Sequence, residues 1–433
     1  MQQTIEYIIQ FLTRDEQSAR QVGYTDDKTQ WSKYKVVIIP SNFFDSNIYG
    51  SEKSMPSLPL KEVEGIPLLF GEPKIELSNN TVICYADIIA STYFLVSRYE
   101  EYINPISNRD IHGRYIGKNS IPNKANFIHR PIVDEYGQLL RTLLQQTGVN
   151  LSTIPQTIDH IYLTHDVDSI TNYRRLRGFL GGIFRSITKG TDSLSIIAKS
   201  LIDIHNDPAY TFSWILKQDN LLRQASQIYF IKACSNAKSL DKPTYNLRGN
   251  NFKQLIQEIQ KLSPNVIIGL HSSYISGDTP KIIPNERQLL QNAIPGREIT
   301  TARHHYLRSL QPQDMESLID ANITDDYTMG YADIAGFRLG TCRSVRFINP
   351  ETKTLRPLTI HPLTVMDCTL SEPNYMNLSY DDALRYTLDL IQQIKLYNGD
   401  VCLLWHNTRF THDNYHTRLY TSIITELCKS ETF

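Results

Sequence analysis

The chain has 433 residues, of which 41% are hydrophobic and 21% are charged, and its formal net charge is −1. This composition is typical of a soluble globular protein of about two or three domains. A net charge near zero gives no overall electrostatic attraction to nucleic acid, so we expect no nucleic-acid partner. Six cysteines without a CxxC pair indicate reduced thiols, and the segment from Met1 to Phe11 lacks the basic start of a signal peptide. We therefore expect a cytoplasmic protein.

The first third of the chain predicts a small α/β domain. Ile5, Ile8, Ile9 and Leu12 share one face of a helix. Further elements are predicted as strands over 36–40, 67–70 and 81–85, a helix over 88–101 capped by Asp87, and a closing helix over 132–144. The segment between these two helices carries Arg114 and other basic side chains. We expect this segment either to face a partner or substrate or to be an irregular connection exposed to solvent. A linker over 147–156 divides an accessory domain, residues 1–150, from a second domain, residues 157–433.

Residues 173–190 carry five basic side chains and no acidic one. Leu176, Leu180 and Phe184 belong to an apolar set that falls on one helical face. This pattern predicts either a helix that covers the sheet or one that lies on an anionic membrane. An apolar stripe at helical spacing usually faces a core, so we expect the covering helix.

From residue 212 onward, predicted strands and helices alternate, which indicates a parallel sheet or barrel. Several strands end in polar side chains that bind metals or move protons. These are Asp166 and Asp168, His271, His304 and His305, and His406. Functional groups of parallel α/β folds collect at the carboxyl ends of strands, and zinc takes imidazole and carboxylate ligands. We therefore expect these residues to meet at one site.

Five motifs in residues 158–433 carry a resemblance to a known family. They are Thr164-His165-Asp166-Val167-Asp168, Gly269-Leu270-His271-Ser272-Ser273-Tyr274, Arg303-His304-His305-Tyr306-Leu307-Arg308, Gly336-Phe337-Arg338-Leu339-Gly340-Thr341 and Leu404-Trp405-His406-Asn407. With them, this region resembles the NodB-type polysaccharide deacetylases of carbohydrate esterase family four, in a divergent branch. Residues 94–101 and 110–114 resemble that branch's N-terminal accessory domain. The resemblance implies a deformed (β/α) barrel preceded by a smaller α/β domain.

The resemblance also implies roles for individual residues. Asp166 is the general base, Arg303 orients it and His406 is the general acid, for which Asp367 is a candidate carboxylate partner. Asp168 and His271 bind a divalent metal, which we expect to be Zn²⁺. The family's second metal-binding histidine is replaced here by Ile275. His305 is our candidate replacement, with His304 and His165 as weaker alternatives.

The implied function is a metal-dependent hydrolase that removes N-acetyl groups from a carbohydrate in polysaccharide or glycoconjugate biosynthesis. Hydrolysis of another amide or an ester, and a non-catalytic carbohydrate-binding or scaffold role, remain alternatives. Arg338 is expected to bind a sugar phosphate or to form a structural ion pair, as are Arg343 and Arg346. Tyr274 and Trp405 are expected to stack on a sugar ring or to pack in the core. Asn407 binds substrate or caps the turn after its strand.

Overall fold

The computed structural model describes residues 1–78, 80–234, 237–410 and 414–431. Two main sheets organise these residues, a four-stranded sheet formed before residue 90 and a nine-stranded sheet formed after residue 159. No described helix is both long enough and apolar enough to cross a lipid bilayer.

The N-terminal part consists of a mixed sheet with helices packed on it. Its strands are β1 Val22–Tyr24, β2 Val36–Ile38, β3 Lys61–Val63, β4 Ile66–Leu68, β5 Gly71–Ser78 and β6 Thr81–Ala86. Its helices are α1 Gln2–Thr13, α2 Glu16–Ala19, α3 Ile88–Val96, α4 Tyr99–Ile103, α5 Ile121–Lys124 and α6 Ile132–Gln146. The sheet order is β1-β2-β6-β5, with β5 antiparallel to β6, while β3 and β4 pair separately.

The sequence predictions for this part are confirmed for α1, β2, β6 and α6, but the helix expected over 88–101 is divided. Asp87 caps α3 as expected, by accepting a hydrogen bond from the backbone N–H of Ala90. The helix ends at Val96, because Arg98 takes a left-handed conformation with φ of 54°. In that position the buried guanidinium of Arg98 donates hydrogen bonds to Ser309 and Gln311. These long-range contacts override the local helical preference.

The C-terminal part alternates strands and helices. Its strands are β7 His160–Val167, β8 Ser226–Lys232, β9 Ile267–Ser272, β10 Thr301–His304, β11 Asp325–Asp326, β12 Val345–Asn349, β13 Thr354–Ile360, β14 Val365–Met366 and β15 Asp400–His406. Its helices are α7 Leu176–Lys189, α8 Leu194–Ile202, α9 Phe212–Asp219, α10 Asn250–Leu262, α11 Ile283–Ala293, α12 Gln313–Asp320, α13 Asp367–Ser371, α14 Tyr380–Leu396 and α15 Tyr415–Glu431. The sheet order is β12-β13-β11-β10-β9-β8-β7-β15-β14, and only β12 and β13 pair antiparallel.

One short segment connects the two ends of the parallel array. β13 pairs with β11, and β14, which follows it closely in the chain, pairs with β15. Between them, Leu363 N–H donates to the carbonyl of Met329 at 3.1 Å, and Thr364 N–H donates to that of Cys402 at 2.9 Å. Within the described residues no strand ladder pairs β12 with β14, so the sheet itself is open.

The register aligns the polar strand ends predicted from the sequence. Asp166 is opposite His406 on β15, and His271 is opposite both Lys232 on β8 and Arg303 on β10. Because these strands are parallel, their carboxyl ends meet at the same edge of the sheet. The sheet register therefore brings these polar side chains to the same edge of the sheet.

Buried ion pairs join the two parts of the chain. Both oxygens of Glu101 in α4 accept hydrogen bonds from Arg338, at 2.9 and 2.7 Å. Asp134 in α6 accepts from Arg343 at 2.6 Å and from the backbone N–H of Cys342 at 2.9 Å. Because buried charges are costly unless paired, these contacts tie the two parts together at fixed positions.

The expectation that residues 173–190 cover the sheet with an apolar face is wrong. These residues form α7, in which only Gly182 is fully buried. Leu176, Leu180, Phe184 and Ile187 are exposed to solvent. The periodicity correctly predicts the helix, but it does not determine whether another element covers the apolar face.

Candidate metal centre and active site

Asp166 is at the centre of the site, near the end of β7. Its Oδ1 accepts a hydrogen bond from Nη1 of Arg303 at 3.1 Å, and its Oδ2 lies 3.4 Å from Nε2 of His271. Both Asp166 and Arg303 are buried. Burial favours the neutral acid, but His271 and then Arg303 hold the pKa of Asp166 below its usual value. The site therefore presents an ionised, oriented carboxylate.

Arg303 is held rigidly beside this carboxylate. Its Nε donates to the backbone carbonyl of Tyr327 at 3.0 Å, and its guanidinium carbon lies 4.5 Å from the ring centroid of Phe230. One nitrogen of this guanidinium, Nη1, bonds Asp166. That Arg303 orients the base stays a prediction.

Asp168, His271 and His305 form a candidate metal-ligand group. One ligand atom from each of the three residues lies within 4.8 Å of the others. The Nε2 of His271 is buried without a hydrogen-bond partner among the described residues. The Oδ1 of Asp168 has no partner with hydrogen-bond geometry, although the Nζ of Lys232 lies 3.3 Å and the Nε2 of His305 3.5 Å from it. A buried imidazole nitrogen without a partner is rare in folded proteins and calls for an ion or water. One carboxylate and two imidazoles are a donor set that zinc accepts, with further positions open. The residues therefore fit a divalent ion.

Neighbouring groups orient both histidines. The Nδ1 of His271 lies 3.0 Å from the carbonyl oxygen of Arg303, and the Nδ1 of His305 lies 3.2 Å from Oδ1 of Asp241. Each ring thereby turns its Nε2 toward Asp166 and Asp168. Burial lowers the pKa of His271 to about 4, which keeps the ring neutral, as a metal ligand must be. Metal-binding histidines characteristically bond a carboxylate or carbonyl through the other nitrogen.

Sequence reasoning missed Asp241 and Lys232. Asp241 also accepts a hydrogen bond at 2.6 Å from the N–H of Tyr274, so it links two segments of the site. The Nζ of the buried Lys232 lies 3.3 Å from Oδ1 of Asp168 and donates to the carbonyls of Asp241 and Pro243. Lys232 is the last residue of β8, and this strand-end position is a signal that could have identified it. Asp241 lies in the connection after β8, and no pattern in the sequence marks it.

His406 ends β15 on the other side of Asp166. Its Nδ1 lies 2.8 Å from Oδ1 of Asp367, and its Nε2 lies 3.9 Å from Oδ2 of Asp166. Burial disfavours the charged ring, but Asp367 raises the pKa of His406 well above its usual value. His406 thus presents a protonated Nε2 toward the site. Asp367, Cys368 and His406 also satisfy the geometry of a ligand group, but the hydrogen bond to Asp367 already occupies the histidine's Nδ1.

A cavity of about 630 Å³ opens over these residues. Asp168, His305 and His406 contribute to its lining. Arg114 reaches the same cavity from the N-terminal part, held by Asp110 at 2.7 Å and Tyr375 at 2.8 Å. The remaining lining residues are largely polar or aromatic and include Asn172, Lys242, Tyr306, Asn374, Thr408 and Arg409. A cleft of this size with converging polar groups is typical of a small-molecule site.

Three residues expected to bind substrate lie outside this lining. Arg338 is buried against Glu101, so its position matches the alternative of a structural ion pair. Trp405 is fully buried and packs on Tyr420 with a centroid distance of 5.2 Å. Tyr274 packs under Arg308, whose guanidinium carbon lies 4.0 Å from its ring centroid. Sugar contact through Arg338 or Trp405 does not fit these positions.

The alternative ligands also point elsewhere. Successive side chains of a strand face opposite sides, so His165 turns away from Asp166, and its Nε2 lies 3.0 Å from Asp219. The Nδ1 of His304 lies 2.7 Å from Oγ of Ser272.

Asn407 accepts a hydrogen bond from the N–H of Asp168 at 3.0 Å and donates one to the carbonyl of Ser169 at 2.6 Å. It therefore holds the turn that carries Asp168.

Comparisons with known proteins give a family match for the first third of the chain and a distant likeness to solved structures. Residues 1–149 match a family of unknown function, DUF7033. No curated protein matches the chain. The chain is 13% identical to a protein of known crystal structure from Mycobacterium smegmatis, whose name assigns it provisionally as a polysaccharide deacetylase. The alignment covers 65% of this chain and 86% of that one, with a TM-score of 0.39. A likeness this distant does not establish a shared activity.

Proposed function

We propose that the protein is a metal-dependent hydrolase that removes N-acetyl groups from a carbohydrate. One observation carries the proposal. Three kinds of group converge at one edge of the sheet, beside a cavity. They are an ionised Asp166, a protonated His406 and the candidate metal ligands Asp168, His271 and His305. A base, an acid and a metal-ligand set in one place are the parts that hydrolysis of an amide requires.

Each group has a distinct part in the reaction. Asp168, His271 and His305 would hold a divalent ion, which would supply Lewis-acid polarisation of the amide carbonyl and a lowered pKa of water. Asp166, held by Arg303, accepts the proton of the water that attacks the carbonyl carbon. His406 then donates its Nε2 proton to the amine nitrogen as the carbon–nitrogen bond breaks. The products are acetate and a free amino sugar. Asp166 is left protonated and His406 neutral, and transfer of a proton from Asp166 back to His406 by way of solvent restores both for the next turnover.

We further propose that His305 compensates for Ile275. The family to which the sequence shows a resemblance places a second ligand histidine four residues after the first. His305 instead follows β10, the strand next to β9, and its Nε2 lies 3.5 Å from Oδ1 of Asp168. A neighbouring strand end can therefore supply the imidazole that β9 lacks.

The scaffold we propose is a deformed (β/α) barrel over residues 157–433, with residues 1–150 as an accessory α/β domain. The segment 361–364 supports this proposal, since its backbone bonds to residues after β11 and within β15. Arg114 gives the accessory domain a part in the cavity wall.

The test is acetate release from N-acetylglucosamine oligomers by the zinc-loaded protein. Asp166→Asn should lower kcat by at least about 100-fold, because it removes the base while conserving shape. Asp26→Asn, at an exposed aspartate, is the matched control and should leave kcat unchanged. An Asp166→Asn variant as active as the wild type would remove Asp166 from the mechanism. Release of p-nitrophenol from p-nitrophenyl acetate, with no acetate from the oligomers, would indicate an esterase instead.

A further inference from the structure

The α7–α8 hairpin, residues 173–203, exposes an unusual amount of apolar surface. On α7, Leu176 is 75% exposed, Phe184 64% and Ile187 75%. On α8, Leu194 is 55% exposed and Ile202 is 86% exposed. Single exposed apolar side chains are common, but five of them on two helices that contact each other mark a candidate interaction surface.

The hairpin is a fixed structure. Its two helices pack through Gly182, where an added Cβ would lie 2.9 Å from the ring of Tyr173 and 3.1 Å from Ile197. At its base, Asp207 accepts hydrogen bonds from the backbone N–H of Tyr173 at 3.0 Å and from Oγ of Ser200 at 2.7 Å. These contacts hold α7 and α8 together while the apolar side chains named above remain exposed.

The same hairpin is positively charged. It contains six basic and two acidic residues. Both acids are already engaged, because Asp192 accepts from Arg185 at 2.8 Å and Asp203 lies 2.8 Å from Nδ1 of His205. Arg177 and Lys189, at opposite ends of α7, form no ion pair with a described residue. The apolar surface therefore lies among uncompensated positive charges.

We propose that the α7–α8 hairpin binds the surface of an anionic lipid membrane. Amphipathic helices of this kind lie in the interface, with apolar side chains among the acyl chains and basic ones at the headgroups. Charge selects this occupant over a second copy of the chain. A two-fold dimer would place the same basic hairpin against itself, and like charges oppose that contact.

The hairpin also adjoins the cavity. The hairpin begins directly after Asn172, which lines the cavity together with Asp168 and His406. The proposed membrane-binding hairpin is therefore joined directly, along the chain, to the wall of the cavity. The proposal stands independently of the deacetylase activity, because vesicle binding is measured without substrate.

The first experiment is cosedimentation of the full chain with phosphatidylcholine vesicles that do or do not contain phosphatidylglycerol. We expect the wild type to sediment with the anionic vesicles. Phe184→Ser/Ile187→Ser should bind them at least about ten-fold more weakly, since two inserting side chains are lost. Leu77→Ser is the matched control, because Leu77 is 72% exposed on β5, and it should bind like the wild type. Equal binding of the wild type and the double variant would overturn the proposal.

A second variant tests the charge. Arg177→Glu/Lys189→Glu should lose the preference for phosphatidylglycerol, and the wild-type preference should weaken as salt is raised. If the wild type bound both vesicle types equally, the proposed attraction of the basic side chains to anionic headgroups would be wrong.

Sedimentation equilibrium without lipid tests whether a second copy of the chain binds the hairpin instead. A dimer abolished by Phe184→Ser/Ile187→Ser, in a protein that ignores vesicles, would assign the surface to a second copy and end the membrane proposal.

Discussion

The Nδ1 atom of His406 lies 2.8 Å from Oδ1 of Asp367, and the backbone N–H of His406 donates to the other oxygen of the same carboxylate at 2.8 Å. Asp367 is fully buried. Burial alone would raise its pKa, but His406 lowers it to about 2. The pair therefore exists as carboxylate and imidazolium through the neutral range. With Nδ1 held in this way, the Nε2 proton is the one that faces Asp166 beside the cavity.

Replacing Asp367 with Asn should shift the pH dependence of the reaction. His406 must be protonated to act as an acid, so activity falls as the pH rises through its pKa. Asp367 raises this pKa, whereas burial lowers it. Asp367→Asn should therefore move the basic limb of the profile of kcat/KM to lower pH by at least about one unit.

The matched control for this variant is Asp325→Asn. The Oδ1 of Asp325 lies 2.8 Å from Nε2 of His361, so it is another aspartate–histidine pair, but neither residue lines the cavity. The basic limb of the kcat/KM profile of Asp325→Asn should coincide with that of the wild type. A basic limb unmoved by Asp367→Asn would assign the leaving-group proton to a donor other than His406.

Removing His305 should weaken metal binding. It supplies one of three donors, so His305→Ala should raise the Kd for Zn²⁺ by more than about 100-fold. Asp241→Asn, which disturbs only the group behind His305, should raise it by about 10- to 100-fold. Competition with a chromophoric chelator measures both. His129→Ala, at an exposed histidine, should leave the Kd unchanged. Wild-type affinity in His305→Ala would reject the proposed ligand set.

The strand-end residues can be identified from the sequence because each strand has a local sequence pattern and parallel pairing then brings the carboxyl ends of the strands together. Asp166, His271 and His406 each follow a predicted strand, and neighbouring parallel strands align those ends. Alternation along the strands also separates His165 from Asp166. Asp241 has no such signal, since it reaches His305 from a connection whose path depends on tertiary packing.

Arg338 and α7 show a different limit of sequence reasoning. A guanidinium binds a phosphate or a carboxylate with the same fork of donors, so the sequence cannot distinguish a sugar phosphate from Glu101, 237 residues away. The apolar stripe of α7 has the same spacing whether or not another element covers it. The partner of Arg338 and the burial of the apolar face of α7 both depend on which distant segments of the chain pack beside them.

The ion pair of Arg338 and Glu101 should contribute strongly to stability. Arg338→Met leaves the Glu101 carboxylate buried with Arg98, at 3.4 Å, as its remaining ion-pair partner among the described residues. We expect a loss of about 3–5 kcal/mol in the free energy of unfolding, measured with urea. Arg346→Met, at an exposed arginine, should change it by less than about 0.5 kcal/mol. Unchanged stability with a raised KM would instead return Arg338 to substrate binding.

Glu100 should make stability depend on pH. It is buried in α4, where its carboxylate accepts from the N–H of Ile121 at 3.1 Å, and burial raises its pKa from 4.5 to about 7. Between these values the folded state holds a proton that the unfolded state releases, so the contribution of Glu100 to stability falls as the pH rises from about 4.5 to about 7. Glu100→Gln keeps an acceptor and removes this loss. Relative to the wild type, the variant should gain up to about 3 kcal/mol between pH 5 and pH 7.5, measured by urea denaturation. Glu52→Gln, at an exposed glutamate, should show no such gain, and a constant offset between Glu100→Gln and the wild type at both pH values would contradict the raised pKa.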